Sequence, residues 1–240
     1  MKLKIMTFNI QHGRNHNLSG DVIDLPLMAQ TVREQDPDIV GFNEVRNGTN
    51  ADHSSGESNQ AQFFQDELGG TCKFGKAIFI YKYEYGNAIW SKHNMKSFSV
   101  IPVPEVTEKT GGYYENRCII KTEYEFEGKK LTVLNSHFGF GNGEAENAVD
   151  AVISIAEGVE GAVVLMGDFN MRPDNPLIQR LATVFTDSHA SLGKDMFTFP
   201  SHSPEMRIDY IFVRNAKVLD ANTVCKVASD HYSITADIEL

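Results

Sequence analysis

The last third of the chain carries the polar clusters Gly167-Asp168-Phe169-Asn170, Arg207-Ile208-Asp209-Tyr210 and Ser229-Asp230-His231, each attached to an apolar, strand-like run. Upstream, Asn9 follows Met6-Thr7-Phe8, Glu44 follows Ile39-Val40-Gly41-Phe42-Asn43, and His137 comes shortly after Leu131-Thr132-Val133-Leu134. Carboxylates, amides and imidazoles at strand ends are costly unless they converge on something charged. A divalent metal facing a phosphate would use every one of them.

Each residue type then has a task. Alternate residues of an extended segment share a face, so Asp168 and Asn170 point the same way while Phe169 turns into the core. Asn135 and His137 have the same spacing. Hard cations such as Mg²⁺ prefer carboxylate oxygens and keep water and phosphate oxygens in their shell. Glu44 is the first expected ligand, with Asp230 and Asn9 helping. Phosphodiester hydrolysis needs a water aimed in line with the leaving oxygen. Asp168 is the candidate to orient or deprotonate it, held by Asn170. Asn170, His137 and His231 are candidate donors to the developing negative charge. Asp209 is the natural partner of His231, fixing its ring and favouring its charged form. A nucleophilic serine triad is poorly supported, because no GxSxG elbow exists and Ser229 lacks that context. Any one cluster alone also reads as turn chemistry, since Asp and Asn commonly end strands. Six clusters at six strand ends do not.

The totals bound the class. The chain has 240 residues, 41% hydrophobic and 22% charged, with a formal charge of −10. That fits an ordinary globular protein with one sizeable core and argues against disorder. Acidic balance disfavours tight, sequence-blind binding to long nucleic acid, although a basic cleft can sit on an acidic body. The three cysteines, Cys72, Cys118 and Cys225, form no CxxC pair and suggest neither zinc nor a disulfide frame. Met1-Lys2-Leu3-Lys4-Ile5 runs straight into a strand pattern, and no stretch approaches a membrane span. The expected location is cytoplasmic.

The elements that must position the clusters follow from periodicity. Leu3 to Asn9 reads as a strand, Asp24 as the N-cap of a helix ending near Asp36-Pro37, and Ile39 to Phe42 as a buried strand. Residues 46–60 form the longest polar stretch, followed by a helix over 60–68. Strands are expected over 74–81, 86–90, 97–103, 118–126 and 130–136, with a hairpin turn at Glu127-Gly128-Lys129. A helix over 144–157, a strand over 162–166, a short helix over 176–182 and closing strands over 208–213 and 233–238 complete the pattern. No repeat or linker interrupts it, so a single domain over 1–240 is the simplest account.

The chain resembles the metal-dependent endonuclease/exonuclease/phosphatase superfamily. The motif order is kept from Thr7-Phe8-Asn9-Ile10 through Asn43-Glu44, His137, Gly167-Asp168-Phe169-Asn170 and Arg207-Ile208-Asp209-Tyr210 to Ser229-Asp230-His231. The resemblance implies a four-layer α/β sandwich, two packed mixed β-sheets flanked by helices, with Mg²⁺ or Mn²⁺ at one edge. Two positions depart from many relatives: Asn43 stands where they have Gln, and Gln11 where some have Asp. The second departure leaves one metal or two open. Arg117 and Asn87 fall where relatives line the cleft, and are expected to bind substrate. A solvated strand-start Arg and a turn Asn would read the same. Trp90 reads as core, and His12 and His53 as loop residues.

The function expected is a phosphodiesterase, with phosphomonoesters also open. A nuclease is disfavoured by the lack of a basic arm or an aromatic-basic groove. A phospholipid substrate and stable membrane association are disfavoured because no exposed-looking apolar hairpin is evident. A non-catalytic module that kept the fold would have lost Glu44, Asp168 or His231, and none is lost.

Overall fold

The computed structural model describes residues 1–48, 59–81, 83–194 and 196–240. The segment 49–58, including His53, lies outside the described residues. Among the described residues the α-helices and β-strands follow in the order β1 (Lys2–Asn9), α1 (Leu25–Gln35), β2 (Ile39–Gly48), α2 (Gln60–Leu68), β3 (Thr71–Ile80), β4 (Tyr83–Ser91), β5 (Ser97–Pro102), β6 (Cys118–Phe126), β7 (Lys129–Ser136), α3 (Glu144–Glu157), β8 (Ala162–Asp168), α4 (Pro176–Leu181), β9 (Thr186–Asp187), β10 (Asp209–Arg214), β11 (Lys217–Val224) and β12 (Ser233–Glu239). They build two six-stranded sheets, ordered β11-β12-β1-β2-β4-β3 and β5-β6-β7-β8-β10-β9.

Both sheets are mixed. β1 and β2 pair in parallel, as do β7 and β8, and the other pairings are antiparallel. Parallel neighbours need a crossover, and α1 and α3 supply the two. Asp24 caps α1 by accepting the Leu27 N–H at 3.0 Å, with Pro26 in the first turn. Helices α1 and α2 lay Met28, Ala29, Val32 and Phe64 on Met6, Phe8, Val40 and Phe42 of the first sheet. Helices α3 and α4 lay Val149, Val152, Ile178 and Leu181 on Leu134, Val163 and Leu165 of the second. Between the sheets lie Ile5, Ile39, Ile89, Val133, Val164, Ile211 and Ile234. The order is therefore helix, sheet, sheet, helix.

The expected pattern differs from this at several elements; the short β9 and the first residues of β4 were not expected. β11 was not foreseen: Lys217–Val224 is an edge strand with only Ala221 fully buried, so it shows no apolar run. β2 continues past Phe42 to Gly48 because β4 pairs with it through Tyr83, although its sequence turns polar. β3 starts at Thr71, immediately after the Gly69-Gly70 stop of α2. Among the described residues no helix is long and apolar enough to cross a membrane.

Candidate active site

The parallel pairs bring the polar positions together. The β1–β2 pairing ends with Asn9 opposite Asn43, and the antiparallel pairing of β8 with β10 sets Asp168 against Asp209. A register irregularity in β2 between Phe42 and Val45 leaves Asn43 and Glu44 as bulged residues, and Glu44 takes φ 60°. The bulge turns Asn43 inward and aims Glu44 at the site. Gly167 lets β8 press against β7: a Cβ there would stand 1.8 Å from the Ser136 carbonyl oxygen, and its φ is 141°. Asn170, just past β8, also has a left-handed backbone, with φ 54°.

Asp168 is the hub, buried to 1% exposure. Its Oδ2 accepts the Asn9 amide at 3.0 Å, and its Oδ1 accepts the Asn170 main-chain N–H at 2.9 Å. The Nε2 atoms of His137 and His231 each stand 3.6 Å from the same Oδ2. Burial, and then the nearby Asp209 charge, raise the Asp168 carboxyl to about 7 against the pull of His231. His231 Nδ1 donates to Asp209 Oδ2 at 2.9 Å. Burial works against its charge, but Asp209 and Asp168 outweigh that and hold the imidazolium up to about 10.

His137 is the opposite case. Burial and the Arg117 guanidinium push it well below the ordinary histidine range, so it is neutral. Arg117 Nη1 lies 3.0 Å from its Nδ1, and the Asn170 amide nitrogen 2.9 Å from its Nε2. Arg117 also pairs with Glu115 at 2.7 Å, while its buried Nε has no hydrogen-bond partner. Asp168 thus sits between one charged and one neutral imidazole, a separation of proton affinities typical of acid–base sites.

Glu44 faces the same space. Its Oε1 accepts the Asn9 amide at 3.0 Å and its Oε2 the Tyr85 hydroxyl at 2.6 Å. Burial, then the Glu44 charge, keep that phenol protonated as a donor. Asn9 therefore turns its NH₂ to two carboxylates, and its oxygen accepts the Gln11 N–H at 3.0 Å. Asp230 Oδ1 accepts from Ser229 at 2.9 Å and Oδ2 from Gln11 at 2.7 Å. Burial raises the Asp230 carboxyl, with His231 lowering it and Glu44 adding to the rise. Asn87 is 2% exposed, and both ends of its amide are engaged inside the sandwich, with Asn43 at 2.8 Å and the Cys118 carbonyl at 3.1 Å. Arg207 forms a fork with Asp187 at 3.0 and 2.6 Å, holding β9 to β10. Phe169 stacks on Phe138 and Tyr210 in the outer core. Trp90 is core, and Cys72 and Cys118 are buried thiols.

The donor set fits a hard divalent cation. The carboxylates of Glu44, Asp168, Asp209 and Asp230 gather here, while the nearby cations His231 and Arg117 are each already paired with a carboxylate, Asp209 and Glu115. Ligand atoms of Glu44, His137 and Asp168 lie within 4.8 Å of one another, as do those of Asp168, Asp209 and His231. Oxygen donors crowded with unbalanced negative charge suit Mg²⁺ or Mn²⁺.

Several contributors carried no signal of their own in the sequence. Tyr85 and Glu115 look like ordinary strand and loop residues, and only their spatial neighbours reveal them; Gln11 stood out only as a departure from relatives that carry Asp, and its contact with Asp230 was not foreseen. The rim brings a correction. At the end of the edge strand β3, Phe79 is 60% exposed and Tyr81, just after it, 99%. Lys76 lies over the Phe79 ring at 4.4 Å and Arg46 over Tyr83 at 5.5 Å. No exposed-looking apolar hairpin was expected, but the run Ala77-Ile78-Phe79-Ile80-Tyr81 lies at the edge of its sheet and is only half covered.

Known proteins are similar to this chain in sequence and fold. The chain is 27% identical to the Escherichia coli (strain K12) protein YbhP, over 99% of this chain and 96% of that one. The fold is similar to that of an endonuclease/exonuclease/phosphatase from Beutenbergia cavernae DSM 12333, with TM-score 0.79 and 23% identity, covering all of this chain and 72% of that one. It is also similar to a mannosyl-6-phosphatase of Bacteroides thetaiotaomicron VPI-5482 (TM-score 0.75, 19% identity, 99% and 100% covered). The human Nocturnin catalytic domain with bound sulfate matches likewise (TM-score 0.74, 18% identity, 99% and 93% covered). The model of the Endonuclease/Exonuclease/phosphatase family matches residues 6–231, from the middle of β1 to His231 itself, and the chain belongs to that family.

Proposed function

We propose that the chain is a Mg²⁺- or Mn²⁺-dependent phosphoesterase that hydrolyses phosphodiesters by in-line attack of water. The carrying observation is Asp168, a buried carboxylate held by Asn9 and Asn170 between a charged His231 and a neutral His137. A carboxyl near 7 is matched to proton abstraction at neutral pH. Asp168 accepts the proton of the attacking water. His231, with Nδ1 fixed on Asp209, keeps its Nε2–H for a phosphoryl oxygen as negative charge develops. Arg117 and Asn170 add donors on the His137 side. Glu44 would hold the cation, steadied by Tyr85 and Asn9, with Asp230 adding charge nearby. When bound, the cation supplies polarisation of the phosphoryl oxygen and neutralises the crowded carboxylates.

The test is hydrolysis of bis-p-nitrophenyl phosphate with Mg²⁺ or Mn²⁺, lost on chelation and absent in His231→Ala. A folded, metal-loaded protein inert toward every phosphoester would favour the binding-module reading instead. Because one relative by fold is a mannosyl-6-phosphatase, sugar phosphates belong in the same panel. A nuclease is the second reading. The outward Phe79, with Lys76 over its ring, and the outward Tyr81 favour it, since exposed aromatics beside cations suit unpaired bases. Plasmid nicking across a salt series separates the two. We place the protein in the cytoplasm, with its oligomeric state open.

A further inference from the structure

Gln11, His12 and Gly13 follow β1 with φ 41°, 49° and 85°, three left-handed residues in succession. Only glycine adopts this region freely, so Gln11 and His12 are held there against their preference. The surroundings hold them there. Gln11 N–H donates to Asn9 Oδ1 at 3.0 Å, Gln60 Nε2 to the His12 carbonyl at 2.6 Å, and Asp24 N–H to the Gly13 carbonyl at 2.8 Å. The strained turn swings the Gln11 side chain across to the loop before β12, where Nε2 donates to Asp230 Oδ2 at 2.7 Å.

The other end of that amide is also fixed. Gln11 Oε1 is met by His16 Nε2. A carboxamide donates from one end only, so a donor on its oxygen determines that the NH₂ faces the carboxylate. His16 is itself anchored to the Asp230 loop: its N–H donates to the Ala228 carbonyl at 2.9 Å, and Asn17 Nδ2 to the Val227 carbonyl at 2.7 Å. The chain of contacts runs His16 to Gln11 to Asp230, with Ser229 on the remaining carboxylate oxygen.

We infer that Gln11, oriented by His16, is a positioning residue that fixes the Asp230 carboxylate for the cation held at Glu44. The inference rests on the metal-dependent reading above and on donor–acceptor polarity alone. Mn²⁺ binding to the full chain, followed by electron paramagnetic resonance, tests it without any substrate. Gln11→Ala weakens Mn²⁺ binding at least about 10-fold, the lower end of the scale for groups that orient ligands, and His16→Ala weakens it by no more than that. The double variant binds no more weakly than Gln11→Ala, because His16 acts through Gln11. His16→Gln, which keeps an N–H donor, recovers binding. Circular-dichroism melts confirm folding; if Gln11→Ala does not fold, the two His16 variants decide. Wild-type Mn²⁺ affinity in folded His16→Ala, or additive losses in the double variant, overturns the inference while leaving the metal reading intact. No Mn²⁺ binding by the wild type removes both.

Discussion

One layer between the two sheets has two chemistries. In one half, Ile5, Ile39, Ile89, Val133, Val164 and Ile211 pack sheet on sheet with no polar atom among their side chains. In the other half the same strands meet through amides. Asn135 Nδ2 donates to the Phe42 and Ala88 carbonyls at 3.1 and 2.9 Å, and Asn43 Oδ1 accepts the Asp168 main-chain N–H at 3.0 Å. Asn43 Nδ2 reaches Asn87 and Asn135. Both halves are buried. The apolar half gains from exclusion of water, which is indifferent to direction. The amide half gains little from burial, but its bonds are directional and each buried group must be matched. Apolar packing makes the sandwich stable. The amide lattice makes it specific, because a carboxylate such as Asp168 can then be kept dry at a fixed place.

Variants can break or sharpen this contrast. The largest effect is expected at the hub: Asp168→Ala lowers turnover about 10³-fold. Its melting temperature at neutral pH is at or above wild type, since a buried carboxylate opposed by burial is lost. A large drop in melting temperature would mean that Asp168 is structural. In the apolar half, Ile211→Ala is expected to cost about 2–5 kcal/mol in urea melts with little change in kcat. Asn135→Ala blends the two: about 1–3 kcal/mol of stability is lost through unmatched carbonyls, and turnover falls as well because Asn43 loses its stop.

The pH dependence of the metal-free protein has a defined sign. Asp168 sits at about 7 against 3.8 unfolded, so the folded state holds the extra proton between those values. Its contribution is full below pH 3.8 and is lost as pH rises through 7. His231, about 10 against 6.5, behaves alike: its contribution is lost as pH rises from 6.5 through 10. Stability of the apoprotein should therefore fall from weakly acid to alkaline pH, and Asp168→Ala should flatten the lower window. The smallest effect is expected far from the site. Glu160, exposed and paired with Lys130 at 2.8 Å, can become Gln with neither melting temperature nor turnover changed.

Much of this was legible beforehand. The apolar runs ending at Asn9 and Asp168 marked strand ends, whereas the run before Glu44 ends at a bulge inside β2, and Phe169 turns into the core between Asp168 and Asn170 as expected. The partnership of His231 with Asp209 was readable from residue type. Other features left no local trace. β11 is an edge, and edges lack the apolar signature of central strands. Tyr85 lies in a strand where any aromatic residue would look alike, and its link to Glu44 depends on the β2 bulge. Asn87 was placed near the cleft but lies behind it, because the same strand pairing turns it toward Asn43.

The sequence by itself determined which residue types stand at the strand ends, in what order, and hence the family and the class of chemistry. Periodicity and composition are local properties, and they survive without knowledge of neighbours. Only the tertiary structure decided which of those groups touch: that one imidazole is charged and the other neutral, that Asn9 bridges two carboxylates, and that Gln11 reaches Asp230 across 219 residues. Proton affinity and hydrogen-bond polarity are set by what lies a few ångströms away in space, and distance along a chain does not encode that.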